Sequence, residues 1–197
     1  MKRIIAGVAG VMLAAVAAFS AVAQEAKWVT LVDAKTMGTW DRVADANWRM
    51  ADGALVADKL AGKDAAYLVS KASYKDFHIY AEFWSDEDAN SGIFNRCKDP
   101  TKIDATLCYE DNIFDKRPDP SYGTGAIVDI AKVIPMPKAA GKWNTYEVIA
   151  QGNHLVVILN GQKTVDVTDS RNPDAGPIAL QYGSGVMKFR KVQIRSL

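Results

Sequence analysis

Phe77-His78-Ile79-Tyr80-Ala81-Glu82-Phe83-Trp84 falls into two interleaved sets. Phe77, Ile79, Ala81 and Phe83 lie on one side of an extended chain, and His78, Tyr80, Glu82 and Trp84 on the other. Eight residues at period 2 describe a strand with one face in a core. Outward from this stretch the same language continues. Residues 155–159 are an unbroken apolar run, followed by Asn160-Gly161 and then the β-prone residues 162–167. Asn-Gly suits the tight hairpin turn whose two central residues need positive φ. Asp52-Gly53 repeats the signal between residues 47–50 and 54–56. Residues 28–32 supply a first strand, and residues 177–182 and 186–194 two closing ones. Beyond the N-terminal stretch no dozen residues show a helical period, and residues 134–141, with Pro135 and Pro137, are a loop. Short strands with turn chemistry between them predict an all-β jelly-roll sandwich of two antiparallel sheets.

Lys2 and Arg3 precede an uncharged apolar run over residues 4–22, and Ala21-Val22-Ala23 fits a small-x-small cleavage site. Residues 1–23 therefore read as a signal peptide, cut before Gln24, and the expected location is periplasmic or secreted. Removing 23 of the 197 residues leaves 174, one domain with volume for a real core. The chain carries +1, and loss of Lys2 and Arg3 takes it to −1. That balance gives no overall electrostatic reason to bind nucleic acid or an anionic membrane. The two cysteines, Cys97 and Cys108, flank an Asp99-Pro100 turn signal. In an oxidising compartment they are expected to bridge, the alternative being two buried free thiols.

Several short blocks follow one another along the chain. They are residues 31–36 with Trp40, Trp48 and Asp52-Gly53; Tyr74-Lys75-Asp76-Phe77 and Glu82-Phe83; Asn90-Ser91-Gly92-Ile93 with Arg96; and Tyr109-Glu110 with Asp115. Gly123-Thr124-Gly125-Ala126, Gly141-Lys142-Trp143-Asn144, Asn160-Gly161, and Ile178-Ala179-Leu180-Gln181 with Phe189-Arg190 complete the set. Together they resemble the 3-keto-disaccharide hydrolase domain family, some of whose members are described as 3-keto-glucoside 1,2-lyases and 3-keto-2-hydroxyglucal hydratases. The resemblance implies a concanavalin-like jelly roll. Asn112 departs from it, standing where members often carry glutamine.

The resemblance singles out Glu82, Arg96 and Glu110 as catalytic groups expected to meet on one concave face. Glu82 and Glu110 would serve as base and acid in either order, and Arg96 would hold a carbonyl or enolate oxygen. A structural ion pair is the alternative reading of Arg96. Substrate contacts are expected from Trp84, as a stacking platform, and from Asn90, Asn112, Asp115 and Gln181. No spaced three-carboxylate strand marks a retaining glucanase. Asp86, Asp88 and Asn90 have the alternate oxygen spacing of a calcium loop, but Gly92 is one place late and Cys97 stands where the bidentate glutamate belongs. A solvated acidic loop fits better, and no cofactor is expected. Two function classes follow. One is an enzyme that cleaves 3-keto-glycosides by elimination and hydration or by hydrolysis. The other is a non-catalytic carbohydrate-binding module. In either case the partner is a small carbohydrate or glycoside.

Overall fold

The computed structural model describes residues 26–197. The expected leader, residues 1–23, lies outside the described residues. Thirteen strands follow: β1 (Val29–Thr30), β2 (Trp40–Val43), β3 (Arg49–Ala51), β4 (Ala54–Ala57), β5 (Ala66–Tyr74), β6 (Phe77–Ser85), β7 (Ser91–Asn95), β8 (Tyr109–Ile113), β9 (Trp143–Gln151), β10 (His154–Leu159), β11 (Gln162–Thr168), β12 (Gly176–Tyr182) and β13 (Met187–Ser196). Two short 3₁₀ turns are the remaining regular elements among the described residues.

The larger sheet runs β11-β10-β9-β6-β13-β4-β3, with β1 also on β13. The smaller runs β2-β5-β12-β7-β8. All named strand pairs are antiparallel. This is the jelly-roll sandwich that the alternation predicts. Both glycine hairpins form as read. Asn160 and Gly161 have φ of 52° and 77°, and Asp52 and Gly53 have 50° and 73°.

Phe77, Ile79, Ala81 and Phe83 are fully buried between the sheets. Leu68, Ile93, Ile178 and Leu180 meet them from the smaller sheet in one core. At the start of β9 the tryptophan is the more exposed residue, Trp143 at 37%, and Asn144 is the buried one. The Asn144 amide donates to the carbonyls of Ala139 and Lys142, so this polar side chain is satisfied inside.

Cys97 and Cys108 are bridged. The closed loop folds over the outer side of the smaller sheet. There Ile103 and both cysteines pack on Tyr67, Val69, Phe94 and Ala179 as a second small core. Gly176 passes so close below that a Cβ on it would stand 2.5 Å from the Cys97 carbonyl oxygen. Opening a loop of this length removes roughly 3 kcal/mol in the chain-entropy account. Reduction, or Cys97→Ser with Cys108→Ser, is therefore expected to lower the free energy of urea unfolding by about 2–3 kcal/mol.

Candidate active site

On the smaller sheet, Leu68, Ile93, Tyr109, Ile113, Ile178 and Leu180 belong to the central core. Their alternates, Tyr67, Gly92, Phe94, Glu110, Asn112, Ala179 and Gln181, point away from it. The register gathers several of these. Gln181 is opposite Tyr67. Gly92 is opposite Asn112, and Phe94 is opposite Glu110. The pairs Ala179–Phe94 and Leu180–Ile93 put Gln181 beside Gly92. Gly92 puts no side chain between the two amides of Gln181 and Asn112, so the hollow there is no larger than a missing side chain. A Cβ there would stand 3.1 Å from the Asp111 carbonyl oxygen, 3.5 Å from the Phe94 ring edge and 3.6 Å from Cγ of Glu110. Asn90 keeps the same side two residues earlier, against Gly183.

The chemistry of this hollow is unusual for the outside of a sheet. Glu110 is only 7% exposed. Burial pushes its pKa up to about 7, with Arg117 opposing and Asp129 reinforcing the rise. Its carboxyl group has no hydrogen-bonding partner among the described residues. The Gln181 amide donates to the Tyr67 hydroxyl at 3.2 Å, and the Asn112 amide donates to the Tyr122 carbonyl at 2.6 Å. That leaves the buried Oε1 of Gln181 and Oδ1 of Asn112 without a donor. Burial raises the Tyr67 pKa, and nearby Glu110 adds to the rise, so Tyr67 keeps its proton and can donate it to a bound oxygen. Two free acceptors, a hydroxyl donor, a carboxyl poised near neutrality and the Phe94 ring cluster around Gly92. A polyhydroxylated ring satisfies such a set.

Four expected site residues, Glu110, Asn112, Asn90 and Gln181, are thus brought together; four others are not. Glu82 lies on the outward face of the larger sheet, across the sandwich from Glu110. It accepts from Arg190 at 2.7 Å and pairs with Lys191 at 3.5 Å. Burial pulls its pKa upward, but these two cations outweigh burial and hold the carboxyl below its ordinary value. Trp84 shares that outward face, under Lys188. Arg96 is buried with φ of 47°, which turns it off the strand. Its guanidinium donates to the carbonyls of Lys75 (2.8 Å), Gly152 (2.7 Å) and Asn172 (3.4 Å), and to Asp76 (3.2 Å). It is a structural clasp, and each of its three guanidinium nitrogens donates. Asp115 accepts from the Thr124 hydroxyl and from the backbone N–H groups of Ala139 and Ala140, which pins a loop.

The three oxygens considered for calcium diverge. Asp86 accepts from the backbone of Asp88 and Val186, Asp88 pairs with Lys116, and Asn90 faces the hollow. No group of three or more His, Cys, Asp or Glu is placed to hold a metal among the described residues. An open cleft of about 470 Å³ lies beside the disulfide. The carboxylate and one of the lysines lining it, Asp41 and Lys71, are exposed and paired with each other at 3.7 Å.

Tyr67 and Phe94 complete the hollow without having been expected. Tyr67 stands in an apolar run, Ala66-Tyr67-Leu68-Val69, that carries no polar signal. Phe94 reads as core. The three consecutive polar residues Glu110-Asp111-Asn112, flanked by Tyr109 and Ile113, were the available clue. A strand that is buried throughout yet polar at its centre marks a site.

Fold and hollow together define a carbohydrate-active jelly-roll domain. The chain belongs to the 3-keto-alpha-glucoside-1,2-lyase-like domain family, whose model matches residues 27–195. A candidate glycosyl hydrolase from Parabacteroides distasonis ATCC 8503 is 25% identical, with a TM-score of 0.68, over 87% of this chain and 100% of that one. A second from the same organism is 17% identical, with a TM-score of 0.70, over 86% and 94%. The carbohydrate-binding module CBM66 from Bacillus subtilis shares the fold at 17% identity and a TM-score of 0.59, over 80% and 96%. No curated protein matches the chain.

Proposed function

We propose that this protein cleaves 3-keto-glycosides by proton abstraction at the Glu110 hollow. The single observation that carries the reading is a nearly buried carboxyl, with a pKa of about 7, on the same sheet face as two unpaired amide acceptors. A ketone at carbon 3 acidifies the hydrogen on carbon 2. The Glu110 carboxylate takes that proton, and the electron pair moves toward the carbonyl, whose oxygen becomes an enolate. Tyr67 O–H donates to that oxygen. The enolate pair then forms the carbon 1–carbon 2 double bond as the bond from carbon 1 to the aglycone oxygen breaks. The departing oxygen takes a proton, and Glu110 holds the one just removed. Asn112 Oδ1 and Gln181 Oε1 accept from the remaining sugar hydroxyls. Later addition of water to the double bond would give the same net products as hydrolysis.

A purely binding module needs the hollow but no tuned acid, so proton transfer is the reading that Glu110 favours. The Cys97–Cys108 bridge and the leader-like N-terminal sequence support an exported, periplasmic or secreted setting.

The test is incubation with a 3-keto-α-glucoside, following aglycone release across pH. A base must be ionised to act, so kcat/KM is expected to rise as pH passes through about 7 and to level off above it. Absence of aglycone release at every pH, with retained sugar binding, overturns the proposal in favour of the module.

A further inference from the structure

Three of the five tryptophans stand on the outward face of the larger sheet, the side opposite Glu110. Trp84 on β6 is paired directly with Trp143 on β9, and Lys188 on β13 lies across from Trp84. At the other end of the same strands, Trp28 packs against His78. Tyr80 and Glu82 lie between. Every aromatic ring here carries a cation. Lys188 lies 4.7 Å from Trp84, Arg190 3.9 Å from Trp143, Lys191 4.9 Å from Tyr80 and Arg195 5.0 Å from Trp28.

The signs on this face do not balance. Four cations meet two carboxylates. Glu82 is engaged by Arg190 and Lys191. Glu147 accepts from His78 Nε2 at 2.7 Å, while Arg195 donates to His78 Nδ1 at 3.2 Å. Lys188 and Arg195 have no carboxylate partner among the described residues. Two cations are therefore uncompensated on one face of a chain that carries +1 in full and −1 without Lys2 and Arg3. Trp28 and Trp143 remain 38% and 37% exposed. From Trp84 to His78 is six residues of β6, about 20 Å at roughly 3.3 Å per residue. An aromatic platform at each end of such a distance, with an unpaired cation beside each, suits an extended chain of several rings.

We infer that the outward face formed by β9, β6 and β13 binds an anionic polysaccharide, with Trp84/Trp143 and Trp28 stacking on sugar rings and Lys188 and Arg195 pairing with its acidic groups. The indole faces supply apolar contact for the C–H surface of a ring. The unpaired ammonium and guanidinium supply the sign selection. This surface is separate from the Glu110 hollow, so it would hold the protein on an acidic glycan while the hollow works on a small one.

Affinity electrophoresis with three polymers tests this. Polygalacturonate carries a carboxylate on every ring, dextran is an uncharged glycan, and polyglutamate has the charge without rings. Wild type is expected to be retarded by polygalacturonate, at least tenfold more weakly by dextran and polyglutamate, and less as salt rises. Lys188→Glu with Arg195→Glu should weaken polygalacturonate binding at least tenfold, and Glu110→Gln should leave it unchanged. Equal retardation by dextran removes the charge argument, and equal retardation by polyglutamate removes the glycan. Absence of retardation by polygalacturonate, or a folded double variant that binds as wild type does, overturns the inference. The wild-type polymer and salt series decides it even if the double variant does not fold.

Discussion

Glu110→Gln is expected to lose about 10²- to 10⁴-fold in turnover of a 3-keto-α-glucoside, the range that acid–base help ordinarily supplies. At pH 8 the same variant is expected to be more stable than wild type. Burial lifts the folded-state pKa of Glu110 from 4.5 to about 7. Its proton is therefore held more tightly in the folded chain than in the unfolded one. Below pH 4.5 the group is neutral in both states and stability is full. As pH rises from 4.5 through 7, the folded chain must ionise a nearly buried carboxyl and stability falls. Above pH 7 the loss is complete and constant, on the order of 3 kcal/mol. Glutamine has no charge to desolvate, so it removes this slope, less the cost of a new amide with few partners. Urea midpoints at pH 5 and pH 8 should differ less for the variant than for wild type. In the proposed mechanism the same group would trade stability for chemistry.

Arg96 is expected to give the largest stability change and no catalytic one. Its guanidinium ties together the turn after β5, through Lys75 and Asp76, the turn after β9, through Gly152, and the segment before β12, through Asn172. Arg96→Ala leaves buried carbonyls without donors and should cost about 3–5 kcal/mol. For a domain of this size that corresponds to a drop of about 10 °C in Tm. Arg96→Lys keeps the charge but cannot reproduce the fork to several acceptors, and falls between alanine and wild type. Aglycone release per folded molecule should stay at the wild-type level in both, measured below the midpoint of unfolding.

The contrast between Arg96 and Glu110 shows where the sequence speaks and where it stops. Period 2 over residues 77–84 names the core side of β6 without ambiguity. Asn160-Gly161 and Asp52-Gly53 name two hairpins by their need for positive φ. Alternation, however, says only that Glu82 and Glu110 both face outward. It carries nothing about which sheet each strand joins, and the two glutamates lie on opposite sides of the sandwich. Arg96 defeats alternation in another way. Its own positive φ lifts it off the end of β7 and sends it toward backbone carbonyls whose positions only the tertiary fold creates. Tyr67 has no signal because a tyrosine in an apolar run reads as core. Gly92 reads as a weak point in a strand, and its place between Gln181 and Asn112 appears only once the strands are paired.

In the proposed mechanism the outward face of the smaller sheet is the reacting face. Aglycone release from a 3-keto-α-glucoside by Glu110→Gln and by Glu82→Gln, each with wild-type folding by circular dichroism, compares the two sheets directly. The account predicts a loss of at least 10²-fold for Glu110→Gln and a rate near wild type for Glu82→Gln. A wild-type rate in Glu110→Gln, or the larger loss in Glu82→Gln, would contradict it.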